Sequence, residues 1–244
     1  SSDLLQMTLN IMYYFGITTH WHENVIQVDK QDYQSVDFTV EADWSAASYF
    51  YSIAALANEA EITLKGLFSP SWQGDSAIQS IAHSFGVKTK VADNNTIHLS
   101  KSKGSEKVAM LEYDFLHQPD IAQTVFVMCG ALGMPALFTG LQTLKIKETD
   151  RIAAMQTELA KTGVFISKVP QKFHSKNPTE MYMMEGKCHF DVMPYFETYH
   201  DHRMAMALAP LALLHPIGIK NAAVVSKSFP GFWTALQALD FVIE

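Results

Sequence analysis

The chain has 244 residues, 48% hydrophobic and 18% charged, with a formal net charge of −7 at pH 7. That length supports one large domain or one domain plus a fragment, and the apolar share is ordinary for a globular protein. The acidic balance argues against a nucleic-acid partner, which calls for a basic stripe. No apolar run reaches the roughly 18 residues of a membrane-spanning helix.

In chain order, residues 1–15 carry an apolar helix face (Leu4, Leu5, Met7, Ile11, Met12, Phe15), followed by Gly16 and a hairpin from Thr18 to Asp29. Asp43 to Leu56 reads as a helix capped by Asp43, Glu61 to Leu67 as a strand, and Ser76 to Phe85 as a helix. A hairpin from Lys88 to Ser100 turns at Asp93-Asn94-Asn95. Next come a strand (Lys107–Tyr113), a helix (Asp120–Leu132), a strand (Ala136–Gly140), a helix that Thr149 could cap (Thr149–Lys161), and a hairpin within Val164–Glu185. The last unit reads as strand His189–Val192, helix Asp201–Leu214, strand Ile217–Ala222 and helix Pro230–Val242.

Gly16, Gly86 and Gly163 each follow an apolar-periodic helix and precede a β-branched run, where a helix ends in a left-handed residue. The repeating unit is therefore βαβαββ with a period near 70 residues. The chain enters one unit midway and leaves another midway. Residues 1–40 read as the tail of a preceding, absent domain, and 41–244 as a domain of three units, the last incomplete. With a sheet edge left unpaired, residues 1–40 are expected to pack onto 41–244, even into the vacant hairpin position.

Two stretches carry charge where helix physics disfavours it. Lys147-Glu148-Thr149-Asp150-Arg151 and His200-Asp201-His202-Arg203 each place an arginine in the first turn of a helix. A helix N-terminus with a guanidinium suits a carboxylate or phosphate. The plain alternative is a surface salt bridge, with Asp150 or Asp201 as partner. Asp120, after Pro119, is equally an ordinary helix start. Two histidines two apart with an aspartate between invite a metal, but a helix starts there and no further ligand spacing supports one. No GxxxxGK[ST] phosphate loop is present. Cys129 and Cys188 form no metal spacing; Cys129 reads as core, and this usage fits a reducing cytoplasm.

These stretches, with Glu41-Ala42-Asp43, Gln73-Gly74-Asp75, Gln118 to Thr124 and Ser226 to Pro230, occur in the order found in 5-enolpyruvylshikimate-3-phosphate synthase (3-phosphoshikimate 1-carboxyvinyltransferase). The chain resembles the C-terminal part of that family from about Ser1 onward. The resemblance implies an α/β domain of βαβαββ modules, inverted-barrel-like, with helices packed inside a ring of sheets. It implies transfer of the enolpyruvyl group of phosphoenolpyruvate to 3-phosphoshikimate, with neither metal nor organic cofactor, in cooperation with an N-terminal domain.

By that resemblance Asp120 is the base on the shikimate hydroxyl and Glu148 the acid that protonates phosphoenolpyruvate. His202 orients Glu148 or meets substrate. Arg151, Arg203 and Lys227 bind phosphoenolpyruvate, and Lys147, Asp120 and Ser1 bind 3-phosphoshikimate. Leu4 and Thr143 stand where relatives carry Tyr and Asn. A UDP-sugar enolpyruvyl transferase, or a non-catalytic βαβαββ anion-binding module, is the competing reading.

Overall fold

The computed structural model describes residues 2–93, 95–173 and 179–244. Helix α1 (Ser2–Tyr14) ends where Gly16 takes φ +85° and the Ile17 N–H reaches back to Met12 O at 3.0 Å. Strands β1 (His20–His22) and β2 (Val25–Gln27) form a two-stranded sheet of their own, so the hairpin fills no vacant sheet position. The segment nevertheless rests on the rest of the chain. Phe38 stacks on Trp72 (centroids 6.5 Å apart, 17°), and Tyr14 meets Trp72 edge-on at 6.2 Å.

Helix α2 (Trp44–Leu56) starts at Asp43, whose side chain accepts the Ser45 N–H at 2.8 Å, as its sequence suggests. Next come β3 (Ala60–Lys65), a 3-10 turn (Gly74–Ala77) running into α3 (Ile78–His83), β4 (Lys88–Asp93) and β5 (Thr96–Lys101). These strands pair antiparallel in the order β3-β5-β4. Asp93 Oδ1 accepts the Asn95 N–H at 3.0 Å in the turn, while Asn94 lies outside the described residues.

One full βαβαββ unit follows: β6 (Leu111–Asp114), α4 (Ala122–Leu132), β7 (Ala136–Thr139), α5 (Arg151–Ala160), β8 (Val164–Lys168) and β9 (Tyr182–Gly186). Its sheet runs β6-β7-β9-β8, with β6 and β7 parallel and the other pairs antiparallel. The last unit is β10 (Tyr195–Phe196), α6 (His202–Leu208), β11 (Gly218–Ile219) and α7 (Phe232–Gln237), with β10 and β11 parallel.

Helices α2, α4 and α6 occupy the interior. Each is buried almost all round, and α2 contacts both others. Small residues permit that approach: Ala47 and Ser48 on α2, Ala122 and Thr124 on α4, Ala205 and Ala207 on α6. Ser48 Oγ and Thr124 Oγ1 meet at 3.0 Å across the α2–α4 contact. Phe126 of α4 packs on Phe138 of β7 at 5.0 Å and on Phe115 at 6.2 Å, and burying each such ring contributes about 1.5–3 kcal/mol. Cys129 is fully buried among them. The helices are thus inside and the sheets outside, but the sheets are separate and no barrel closes.

Several boundaries depart from the sequence reading. The strand read from Lys107 starts only at Leu111, and the helix read over Pro230–Val242 covers Phe232–Gln237. No strand forms at 189–192; the strand is β10, starting after Pro194, and His189 is exposed and bonded to Asp191 at 2.9 Å. Helix α6 stops at Leu208 and tightens to a 3-10 turn over Ala209–Leu213, because Pro210 has no N–H to continue the ladder. The strand expected to reach Ala222 ends at Ile219, and a 3-10 turn covers Ala222–Lys227.

Candidate active site

The N-terminal ends of α2 and α6 meet the segments that lead into α4 (Pro119, Asp120) and α5 (Lys147) at one cleft of ≈ 440 Å³. Asp43, Asp75, Asp120, Lys147 and Arg203 form its polar wall, while Leu4, Met7 and Ile11 of α1 with Trp72 form the apolar one. The α5 start is built by Asp150, not Thr149. Its carboxylate accepts from Ile152 N (3.1 Å) and Ala153 N (3.0 Å), reaching both donors where a threonine one residue earlier does not.

Arg151, the first residue of α5, has a side chain only 2% exposed and is committed to three carboxylates. Its Nε donates to Asp201 Oδ2 at 2.6 Å, Nη1 to Asp120 Oδ1 at 3.0 Å and Nη2 to Glu148 Oε2 at 2.7 Å. Arg203, in the first turn of α6, lies 3.3 Å from Asp120 Oδ2 and donates to the Asp120 carbonyl at 3.2 Å. Lys147 Nζ is 3.2 Å from Asp120, and Lys227, at the end of a 3-10 turn rather than in open loop, is 3.4 Å from Glu148. Arg151 and Arg203 are the only arginines in the chain. The salt bridge weighed for Arg151 is thus realised with Asp201, and it is buried rather than on the surface.

Burial raises the Asp120 carboxyl, but Arg203, Lys147 and Arg151 outweigh it and hold it below its usual range. Glu148 behaves alike: burial pushes up, its own backbone N–H, Arg151 and Lys227 pull down further. His202 is pushed down by burial and by Arg203, against the pull of Asp201 and Glu148. Its Nδ1 is buried without a hydrogen-bond partner among the described residues, and it makes no hydrogen bond to Glu148 there. Burial lowers Arg203's hold on its proton, but Tyr49, Asp120, Asp75 and Asp43 more than restore it.

Comparisons with known proteins agree on one family. The family model for EPSP synthase (3-phosphoshikimate 1-carboxyvinyltransferase) matches residues 4–236. The chain belongs to the EPSP synthase family. A 3-phosphoshikimate 1-carboxyvinyltransferase of Bacteroides fragilis is 43% identical over the whole chain, which spans 58% of that relative. One of Nostoc punctiforme is 31% identical over 96% of the chain and 52% of its own length. The chain therefore spans a little over half the length of the curated relatives it matches. EPSP synthase from Acinetobacter baumannii shares the fold, with a TM-score of 0.68, 23% identity, and coverage of 93% of this chain and 53% of that one.

Set against the family's motifs, Asp120, Lys147, Glu148, Arg151, His202, Arg203 and Lys227 are brought together, while Ser1 lies outside the described residues. The Glu41 and Gln73 motifs build the α2 entrance instead. Glu41 accepts from Trp44 Nε1 (2.6 Å) and Ser71 Oγ (2.7 Å), and Gln73 accepts the Trp44 N–H at 2.9 Å. Asp75, bonded by the Ser45 hydroxyl, reaches the cleft and is raised to about 6 by burial. Its role beside Arg203 was not readable from Gln73-Gly74-Asp75 alone. Glu158 was missed too, although an acid seven residues after Arg151 on the buried side of α5 is the available signal. Among the described residues no group of three or more metal-ligating side chains is placed to hold a metal, and no helix is long and apolar enough to cross a membrane.

Proposed function

We propose that this chain supplies the C-terminal part of an enzyme that moves the enolpyruvyl group of phosphoenolpyruvate to the 5-hydroxyl of 3-phosphoshikimate and releases phosphate. Residues 41–244 would be its C-terminal domain and 1–40 the tail of the other. The buried thiol Cys129 and the half-buried Cys188, both free, fit a reducing cytoplasm.

The observation that carries the reading is the bridge Asp120–Arg151–Glu148, which sets two carboxylates on either side of one guanidinium. Asp120, ionised beside three cations, is in the form a base requires, and its hold on a proton would rise to take the one from the hydroxyl once substrate anions engage those cations. Glu148 must act as an acid, yet Arg151 and Lys227 keep it ionised. Phosphoenolpyruvate resolves this. Its carboxylate and phosphate would take up Arg151, Arg203 and Lys227, leaving burial to raise Glu148 until it carries a proton. That proton goes to the methylene carbon, the hydroxyl oxygen bonds to the adjacent carbon, and a tetrahedral intermediate forms. Breaking the carbon–oxygen bond to phosphate, with a methyl proton returned to the Glu148 carboxylate, completes the transfer. Lys147 would hold the phosphoshikimate anion, and His202 would orient Glu148. Drawing two anions together in one low-dielectric cleft accounts for the density of cations.

The matched relatives extend beyond the aligned part, and that portion would supply the remaining substrate contacts. The test is phosphate release from phosphoenolpyruvate that depends on 3-phosphoshikimate, measured for the chain alone and fused to the unmatched portion of the Bacteroides fragilis relative. The fusion is expected to turn over and the chain alone to be essentially inactive. Full turnover by the chain alone would sink the two-part arrangement, and a folded but inactive fusion would sink the reaction.

A further inference from the structure

Arg151 and Glu158 are two helical turns apart on α5, so their side chains leave the helix on one side. Glu158 is 0% exposed, and a buried carboxylate must be fully bonded to persist. Its Oε1 accepts from the Tyr199 hydroxyl at 2.7 Å, and its Oε2 accepts from the Glu197 N–H at 3.0 Å and from Lys161 Nζ at 2.5 Å. Lys161 also donates to Tyr195 O at 2.9 Å. Burial and the Glu158 carboxylate push the Tyr199 phenol up to about 12, so it stays a donor. The Glu197 and Tyr199 bonds reach the passage from β10 to α6, and Lys161 ties the carboxylate to β10 itself.

That passage is strained. Tyr199 and His200 are both left-handed (φ +52° and +57°), and the Asp201 N–H closes on Thr198 O at 2.8 Å, the geometry of a type I′ turn. Glycine or asparagine normally fills those positions, and a bulky tyrosine there needs its surroundings to hold it. Asp201 emerges from this turn to accept the Arg203 N–H at 2.8 Å and the Arg151 Nε–H at 2.6 Å.

We propose that Glu158 is a positioning residue: by anchoring Tyr199 and the Glu197 backbone it sets the strained turn that delivers Asp201 to Arg151. It touches none of the groups given roles toward substrate. Its action passes through the turn alone. The geometric part of this inference stands by itself, and its kinetic consequence rests on the proposed reaction.

Because Arg151 and Arg203 are the only arginines in the chain, an arginine Nε–Hε spectrum of the ¹⁵N-labelled protein holds two resonances, assigned with Arg203→Lys. Glu158→Gln keeps the side-chain shape, and Tyr199→Phe removes a single hydroxyl. Both are expected to move the Arg151 resonance and speed its exchange with water about tenfold or more, the Arg203 resonance changing far less. An unmoved Arg151 resonance in folded Tyr199→Phe, with Glu158→Gln unmoved or unfolded, overturns the proposal. In the complete enzyme the same variants should raise the KM for phosphoenolpyruvate more than they lower kcat. If the resonance moves and the kinetics do not, positioning stands and the role given to Arg151 in the reaction falls.

Discussion

Arg151 and Asp201 form an ion pair closed to water, Nε to Oδ2 at 2.6 Å, with side chains 2% and 0% exposed. Asp201 has a second duty, since its other oxygen caps α6 at the Arg203 N–H. One carboxylate thus ties the starts of two helices fifty residues apart. Taking both charges out of water is costly, so the pair gives geometry rather than net stability.

Removing one partner leaves the other stranded. Asp201→Ala is expected to destabilise the fold by about 3 kcal/mol or more, the lower end for a broken buried pair because Asp120 and Glu148 still meet Arg151. Urea unfolding measures it. The double variant Arg151→Met with Asp201→Leu should recover most of that loss and bind no substrate. A single variant as stable as the parent would show the pair to be dispensable.

Asp75 gives a pH dependence of unusual sign. Burial raises its carboxyl to about 6, against the Ser45 hydroxyl and Arg203, whereas the unfolded value is about 3.9. Between those values the native chain keeps a proton that the unfolded chain has released, so this group's contribution to stability falls as pH rises through the window. Asp120 and Glu148, both held down, slope the other way, so the comparison must be with Asp75→Asn. That variant should be more stable than the parent at pH 7 by roughly 1–2 kcal/mol, allowing for Asp75's partial exposure, and equal to it near pH 4. Denaturation at both pH values decides, and an equal gap at each would remove the titration from the account.

In the complete enzyme, Asp120→Ala and Glu148→Gln should lower kcat by about 10²–10⁴-fold, the usual worth of a general base or acid. Arg203→Ala should instead weaken phosphoenolpyruvate binding, read by equilibrium titration. Near-normal turnover in either carboxylate variant would show that its assigned role is wrong.

Residues 1–40 are held through aromatic rings. Each pair such as Phe38–Trp72 or Tyr14–Trp72 contributes about 0.5–1.5 kcal/mol beyond its buried area. Trp72→Ala should therefore raise the rate of limited proteolysis within residues 15–40 several-fold while 41–244 stays intact. Equal cleavage in parent and variant would mean that the contact does not hold the segment.

Much of this was legible in the sequence because local chemistry decided it. Helices α2, α4 and α5 fall within about two residues of their sequence reading, since caps, unbroken apolar runs and glycines at C′ act over a single turn. Gly86 and Gly163 take φ +83° and +79°, the left-handed values their position requires. What failed needed partners far along the chain. Whether 189–192 or 195–196 became the strand was settled by pairing with Gly218 and Ile219. The cations singled out at the helix starts come together in space through Asp120 and Glu148. Asp150 and Asp201 were both open as partners for the arginines, and only the fold pairs Arg151 with Asp201; Glu158 is marked by no motif, because its partner Tyr199 lies 41 residues on.

Lys147, Arg151, Arg203 and Lys227 each already have a carboxylate beside them, and the chain as a whole carries a net charge of −7. An approaching anion therefore meets little long-range attraction, because a potential cancelled at its source does not reach far into solution. Capture becomes an exchange of counter-ions at contact, in which the incoming group must displace an aspartate or glutamate to be held. Encounter rates should then vary little with ionic strength, and discrimination among small anions would reside in how quickly they leave rather than in how quickly they arrive.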